Sequence, residues 1–360
     1  MTIPASWLAA GVLMLATTAS MAQSPAAAAP KFKGLWEPIN YTEDLQLTHV
    51  FFVTPEIGYV SGQSGTILKT TDGGNSWTPL LGGDPASEEA AIGPMFFVSP
   101  TVGWALQRAN GGIRHLYRTT DGENWARIGE IQDHYEDMAF SSETEGVYVN
   151  DTEIWRTRDA GKTWSKTARC ATKVEIGGLT RQLECYLWKV HFATPSVAYA
   201  LGDAKDSTPA ALIMKSEDGG ASWSLVNLIE GERGHEGGLF FIDEQTGYLS
   251  TLYAKSGFRT ADGGHTWTGM TATGMGRRII FADPEVGWAV QYDKLSYTTD
   301  GGRRWASRTL AFPAQPNDFS FPRRDVAYVV GDHGMIYRYH VVPETYSAKG
   351  TIPAPMVAKE

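Results

Sequence analysis

One eight-residue pattern, Ser/Thr-x-Asp-x-Gly-x-x-Trp, constrains this chain more than any other feature. It stands in full at Thr70–Trp77, Thr157–Trp164, Ser216–Trp223, Thr260–Trp267 and Thr298–Trp305, and a sixth copy, Thr119–Trp125, is one residue shorter. A second signal runs in phase with it. Each GYV, GWA or AYV step has a small first residue: Gly58, Gly103, Gly146, Ala198, Gly247, Gly287 and Ala327. Six residues before each stands a phenylalanine: Phe52, Phe97, Phe140, Phe192, Phe241, Phe281 and Phe321. Two residues before each Phe is a further apolar residue, from Val50 in the first unit to Phe319 in the last. The chain therefore contains seven units, spaced 45, 43, 52, 49, 40 and 40 residues apart. A period of that size marks a solenoid, an array or a propeller.

Each unit reads as four short strands. A nearly continuous apolar run such as Phe51-Phe52-Val53 comes first, then a turn, then the small-aromatic-apolar step. A Gly turn leads to the third strand, and the Asp-Gly turn leads to the fourth. Short strands at this spacing with Gly/Asp turns predict an all-β fold, and four per unit predict a seven-bladed β-propeller of four-stranded blades. Inner strands buried by blades on both sides explain an apolar run in place of alternation. The seventh unit ends at Gly331–Tyr339 without an Asp-Gly turn, whereas an orphan segment, Trp36–Ile39, precedes the first unit and resembles the strand beginning at Trp77. The N-terminal segment is thus expected to close the ring as the outer strand of the last blade, which removes an open sheet edge. The propeller is placed at 35–342, with a linker over 23–34 and a tail over 343–360.

Composition agrees with one large soluble all-β body. Of 360 residues, 42% are apolar and 20% charged, and the net charge is −9. That acidic balance argues against a nucleic-acid partner, which calls for a basic stripe. Trp7–Ala19 is an apolar run too short to span a bilayer, and Ser20-Met21-Ala22 offers a small-x-small cleavage site. Residues 1–22 are therefore expected to be a signal peptide cleaved after Ala22, giving a periplasmic or secreted protein with no stable membrane insertion, although no Lys or Arg precedes the run. The two cysteines, Cys170 and Cys185, are too few for a four-Cys zinc site and too far apart for a C-x-x-C pair. In an oxidising compartment one disulfide is the favoured reading, and two buried thiols the alternative.

The repeated turn is the Asp box, or bacterial neuraminidase repeat. Its logic is local: the carboxylate accepts backbone N–H groups of its own turn, Gly supplies φ > 0, and Trp packs the turn on the blade. Asp72, Asp121, Asp159, Asp218, Asp262 and Asp300, with Trp77, Trp125, Trp164, Trp223, Trp267 and Trp305, are accordingly assigned to stability and not to metal binding or catalysis. No metal-ligand spacing, nucleophile elbow or phosphate loop stands out, so no catalytic residue, metal or cofactor is expected. Because strands alternate in direction, the Asp boxes share one face, and the connections between blades share the other. The second face carries the longer segments, among them Lys166–Lys189 and Glu230–Gly238. Three residues before each inner-strand Phe is a position at the rim of the central channel, held by His49, Pro94, Asp137, Lys189, Gly238, Arg278 and Asp318. With Arg277, the charged members of this ring are the candidate binding residues. Arg303-Arg304 and Arg323-Arg324, expected on the Asp-box face, are a second, weaker candidate patch.

Taken together, the seven in-phase units, the Asp-Gly-Gly-x-x-Trp turns and the GWA/GYV steps resemble the Asp-box propellers of the photosystem II stability and assembly factor family over residues 35–340. The resemblance implies a non-enzymatic, chaperone-like factor that binds a protein partner, such as a membrane-protein assembly intermediate; the chain is expected to act as a monomer. No binding residue is carried over from that family. A sialidase-like glycoside hydrolase also uses Asp boxes and is the alternative. It calls for a Phe-Arg-Ile-Pro motif, an Arg triad and a Tyr/Glu pair, whereas Phe258-Arg259-Thr260 lies inside an Asp-box hairpin without the Ile-Pro.

Overall fold

The computed structural model describes residues 32–343 apart from 110–111, 132–134, 177–178, 206–208, 236, 252–256, 271–277 and 292–293. Seven antiparallel sheets form a ring, a seven-bladed β-propeller, and no helix of the described residues is long and apolar enough to cross a membrane. The blades run over 47–81, 92–131, 135–169, 171–230, 239–269 and 278–309, and the seventh joins 316–343 to the N-terminal strand.

Ring closure is as expected, with a longer strand. Phe32–Pro38 pairs antiparallel with Ile336–Pro343, from Phe32 opposite Pro343 to Pro38 opposite Tyr337. Phe32–Pro38 thus begins inside the segment read as a linker, and its partner ends on the first residue read as a tail. Trp36 anchors it, with its ring 5.5 Å from Phe312 and 5.4 Å from Tyr339.

The two in-phase sequence signals turn out to be one packing unit. Phe52 is paired directly with Gly58, and a Cβ on that glycine would lie 2.6 Å from the Phe52 ring. The same holds for Phe97 over Gly103 and Phe241 over Gly247, at 2.4 Å. The small residue is therefore required by the ring six positions earlier. The other face of that ring stacks on the second-strand aromatic of the preceding blade: Tyr59 on Phe97 at 4.1 Å, Trp104 on Phe140 at 3.6 Å, Tyr199 on Phe241 at 3.5 Å and Tyr328 on Phe52 at 3.4 Å. The box tryptophan meets it edge-on, as Trp77 does Phe52 at 88°. Such aromatic contacts add stabilisation beyond their buried area.

The boxes are built as their chemistry requires. Ser76 donates its N–H to Asp72 Oδ1 at 2.9 Å and its hydroxyl to Oδ2 at 2.6 Å, while Gly74 donates its N–H to Thr70 Oγ1. Asp159, Asp218 and Asp262 repeat this arrangement with Thr163, Ser222 and Thr266. In the shortened box Asp121 is held by the N–H groups of Glu123 and Asn124, and in the last Asp300 is held by Arg304. The Tyr or Trp of the preceding blade then reaches a carbonyl of the turn: Tyr59 to Gly122 at 3.1 Å, Tyr248 to Gly301 at 2.8 Å and Trp104 to Ala160 at 2.8 Å.

Blade four departs from the expected plan. Residues 166–189, read as a long connection, contain the end of one strand, the strand Ala171–Ile176 and most of Leu179–Phe192, so this sheet has five strands. A Cys170–Cys185 disulfide, with Cα atoms 5.4 Å apart, closes the base of the added hairpin.

Candidate functional site

The predicted channel ring is brought together. His49, Pro94, Asp137, Lys189, Gly238, Arg278 and Asp318 all line one central cavity of about 1000 Å³, walled further down by the apolar inner-strand residues. Arg277 lies outside the described residues. Each inner strand places its contribution by register: the residue three before the Phe faces the axis, and the residue after it, Val50 or Val190, enters the core.

These charges do more than solvate a mouth. Asp318, 7% exposed, accepts the Val50 N–H at 3.0 Å, accepts its neighbour Phe319 N–H at 2.8 Å, and forms an ion pair with Arg278. Asp137 accepts the Val190 N–H at 3.1 Å. In both cases a channel carboxylate of one blade satisfies the inner-strand backbone of the next. Ser320 does likewise, its hydroxyl accepting the Phe52 N–H at 3.0 Å. Asp137, Asp318 and Arg278 are therefore parts of the fold as well as of the channel lining. A buried carboxylate with three partners costs too much to strand.

Burial and neighbours set the charge states. Burial, aided by the positive charges of Arg278 and Lys189, lowers the His49 pKa to about 3, so this imidazole is neutral at physiological pH. Burial also lowers the Arg278 pKa to about 10, against the pull of Asp137, and the guanidinium stays charged. Burial raises Asp137, opposed first by Lys189, and raises Glu136, helped by Asp151. The cavity is consequently a mixed-charge site: two cations and three carboxyls around an apolar throat. Such a lining suits polar, side-chain-rich ligands. Thr251 and Asn317 also line it. They were missed because each comes from outside the strand-one register, Thr251 following a second strand and Asn317 sitting at a bulge beside Asp318.

Three of the four arginines in the other two pairs are ion-paired, and Arg303 donates to the Asp300 carbonyl at 3.1 Å. Arg304 pairs with Asp300, Arg323 with Asp325, and Arg324 with Asp283. Among the described residues, no group of three or more His, Cys, Asp or Glu side chains could hold a metal ion.

Fold and channel together define a ring-closed, seven-bladed propeller with a polar axial cavity. Solved structures of the same architecture include YCF48 bound to a D1 peptide, 17% identical with a TM-score of 0.59, covering 85% of this chain and 96% of that one. YCF48 from Cyanidioschyzon merolae is also 17% identical, with a TM-score of 0.61 and coverage of 85% and 98%. A streptogramin B lyase is 10% identical, with a TM-score of 0.61 and coverage of 86% and 98%. At these identities the likeness is one of fold, which a peptide-bound protein and a lyase share. No family model matches the chain, and no curated protein matches it by sequence.

Proposed function

We propose that this protein is a non-catalytic, exported, polypeptide-binding propeller that takes a segment of its partner at the mouth of the axial cavity, on the face of the blade connections. The observation that carries the reading is the convergence of all seven strand-one positions, with Lys189 and Glu136 among the charged groups, on one cavity large enough for several side chains. The Asp-box carboxylates are spent on their own turns, as the hydrogen bonds above describe. The peptide-bound YCF48 structure, of the same fold, supports a protein partner for this chain, and a membrane-protein assembly intermediate fits that role. The N-terminal signal-like segment and the disulfide support export to the periplasm or beyond. The hydrolase alternative calls for three arginines around one pocket; among the described residues Arg278 alone lines the cavity, and Asp318 holds it.

The test is selection of binders from a random-peptide display library on the pure protein. Peptides that compete with one another and lose about tenfold in affinity with Lys189→Gln, a folded variant that melts lower because Asp137 loses its counter-charge, are the expected result. Lys189 is the right site because no hydrogen bond of the fold depends on its ammonium among the described residues. Turnover of a sialoside by the pure protein would overturn the reading.

A further inference from the structure

A second cavity, of about 420 Å³, opens on blade four and shares no lining residue with the axial one. Its walls are Tyr186, Trp188 and His235, with Lys205 and Arg233 beside them and Asp203 at the base. Asp203, 3% exposed, is wholly occupied: it accepts the Trp188 Nε1–H at 2.9 Å, the His235 N–H at 3.0 Å and the Gly234 N–H. Its effect is to fix the wall. Trp188 is held in one orientation, with the His235 ring 4.6 Å away and the Tyr186 ring 5.7 Å away. The Lys205 ammonium lies 4.0 Å from the centre of the Tyr186 ring, so the aromatic positions the cation. Among the described residues no carboxylate pairs with Lys205 or Arg233. Two cations with no carboxylate partner among the described residues, set over an aromatic ledge, are unusual in a chain of net charge −9, and Tyr186 is one of the few described large apolar side chains left exposed, at 38%.

We infer that this cleft binds a carboxylated sugar, a uronic-acid residue of a saccharide, with its ring against the Tyr186–Trp188–His235 wall and its carboxylate between Lys205 and Arg233. Two features favour that ligand class. The Gly234 and His235 amides, which could have cradled a phosphate, are consumed by Asp203, leaving two side-chain cations that match a monoanionic carboxylate. The strands beneath the cleft, Leu179–Phe192, Ala198–Ala204 and Ala210–Ser216, are paired with one another, so no free edge is offered for an added peptide strand. The ligand must be read by side chains. A pyranose presents an apolar ring face to aromatics and a ring of hydroxyls to polar groups, as amphipathic walls of this kind favour.

Calorimetric titration of the full protein with trigalacturonate and methyl glucuronide, against galactose trimers and inorganic phosphate, tests this. At least one uronate is expected to bind, about tenfold or more weaker with Lys205→Glu or Arg233→Glu, at unchanged melting temperature. The neutral trimer and phosphate are expected to bind at least tenfold more weakly than the uronate. Lys189→Gln, in the axial cavity, is expected to leave uronate binding intact, so the two sites fail or hold separately. No uronate binding, equal binding by both charge-reversal variants, or a preference for phosphate would overturn the inference.

Discussion

The Asp318 carboxylate accepts the Val50 backbone N–H at 3.0 Å, across 268 residues of chain and the seam where the first blade meets the last. Asp137 and Val190 repeat the contact between blades three and four. The same seam carries a second polar link, because the Asn317 amide donates to the Leu47 carbonyl at 2.9 Å and to Asp332 at 2.9 Å.

Asp318→Ala is expected to destabilise by about 3 kcal/mol, since it strands a buried N–H and leaves Arg278 without its partner. Asp318→Asn retains an acceptor and should lose about half as much. Chemical denaturation of both variants checks the order. Equal stability of all three proteins would show that the contact is idle.

Removing residues 32–38 takes Trp36 from its aromatic cluster and bares the Ile336–Pro343 edge. A large fall in melting temperature and new proteolytic cleavage within blade seven are expected. Unchanged melting would contradict closure by this strand.

Gly287→Ala would place a methyl group 2.6 Å from the Phe281 ring, which is itself stacked on Tyr248 at 4.0 Å and therefore cannot retreat. A loss of about 1–3 kcal/mol is expected. Gly269, with open space around its Cα, is the control, and Gly269→Ala should stay within about 0.5 kcal/mol.

Side-chain and backbone hydrogen bonds hold the Asp72, Asp218 and Asp262 carboxyls at about 2, below the usual aspartate range. A depressed carboxyl pKa gives stability that is complete above the unfolded value and is lost as pH falls through the folded one. Asp137 and Glu136, raised by burial, act with the opposite sign at higher pH. Denaturation midpoints should therefore hold or rise slightly from neutral pH to about 4 and fall steeply between about 4 and 2. A midpoint that falls steadily from neutral pH would refute this assignment.

Cys170 and Cys185 should resist alkylation until reduced, and the Cys170→Ser/Cys185→Ser variant should lose about 3 kcal/mol by the loop-entropy estimate. Mass spectrometry of the unreduced protein decides the first point and thermal melting the second.

The seven blades were legible because each Phe and its small partner are written at a fixed spacing that is the register of one hairpin, Phe52 opposite Gly58. Register is a local property, and sequence records it. The hydrogen bonds of Asp72 to Ser76 and of its counterparts are equally local, within four residues of chain. What was not legible depends on distant chain. A carboxylate at position 318 reads alike whether it faces solvent or holds Val50, which lies in another blade. The extra hairpin of blade four is rich in Thr, Lys, Arg and Gln and lacks the apolar run that marks every other inner strand, so pairing there left no pattern. The Tyr186–Trp188 alternation was the one signal of the second cleft, and it becomes visible only once Leu179–Phe192 is known to be a single long strand.

The pairing of Phe32–Pro38 with Ile336–Pro343 has a temporal consequence. The strand Phe32–Pro38 finds its neighbour only after all six intervening blades have been synthesised. Until then six blades can assemble in order beside an arc whose two raw ends, one carrying Trp36, face whatever else is present. A nascent chain of this design keeps the ring open until Ile336–Pro343 is made, and that one strand decides whether the ring closes on itself or offers its edge to another copy.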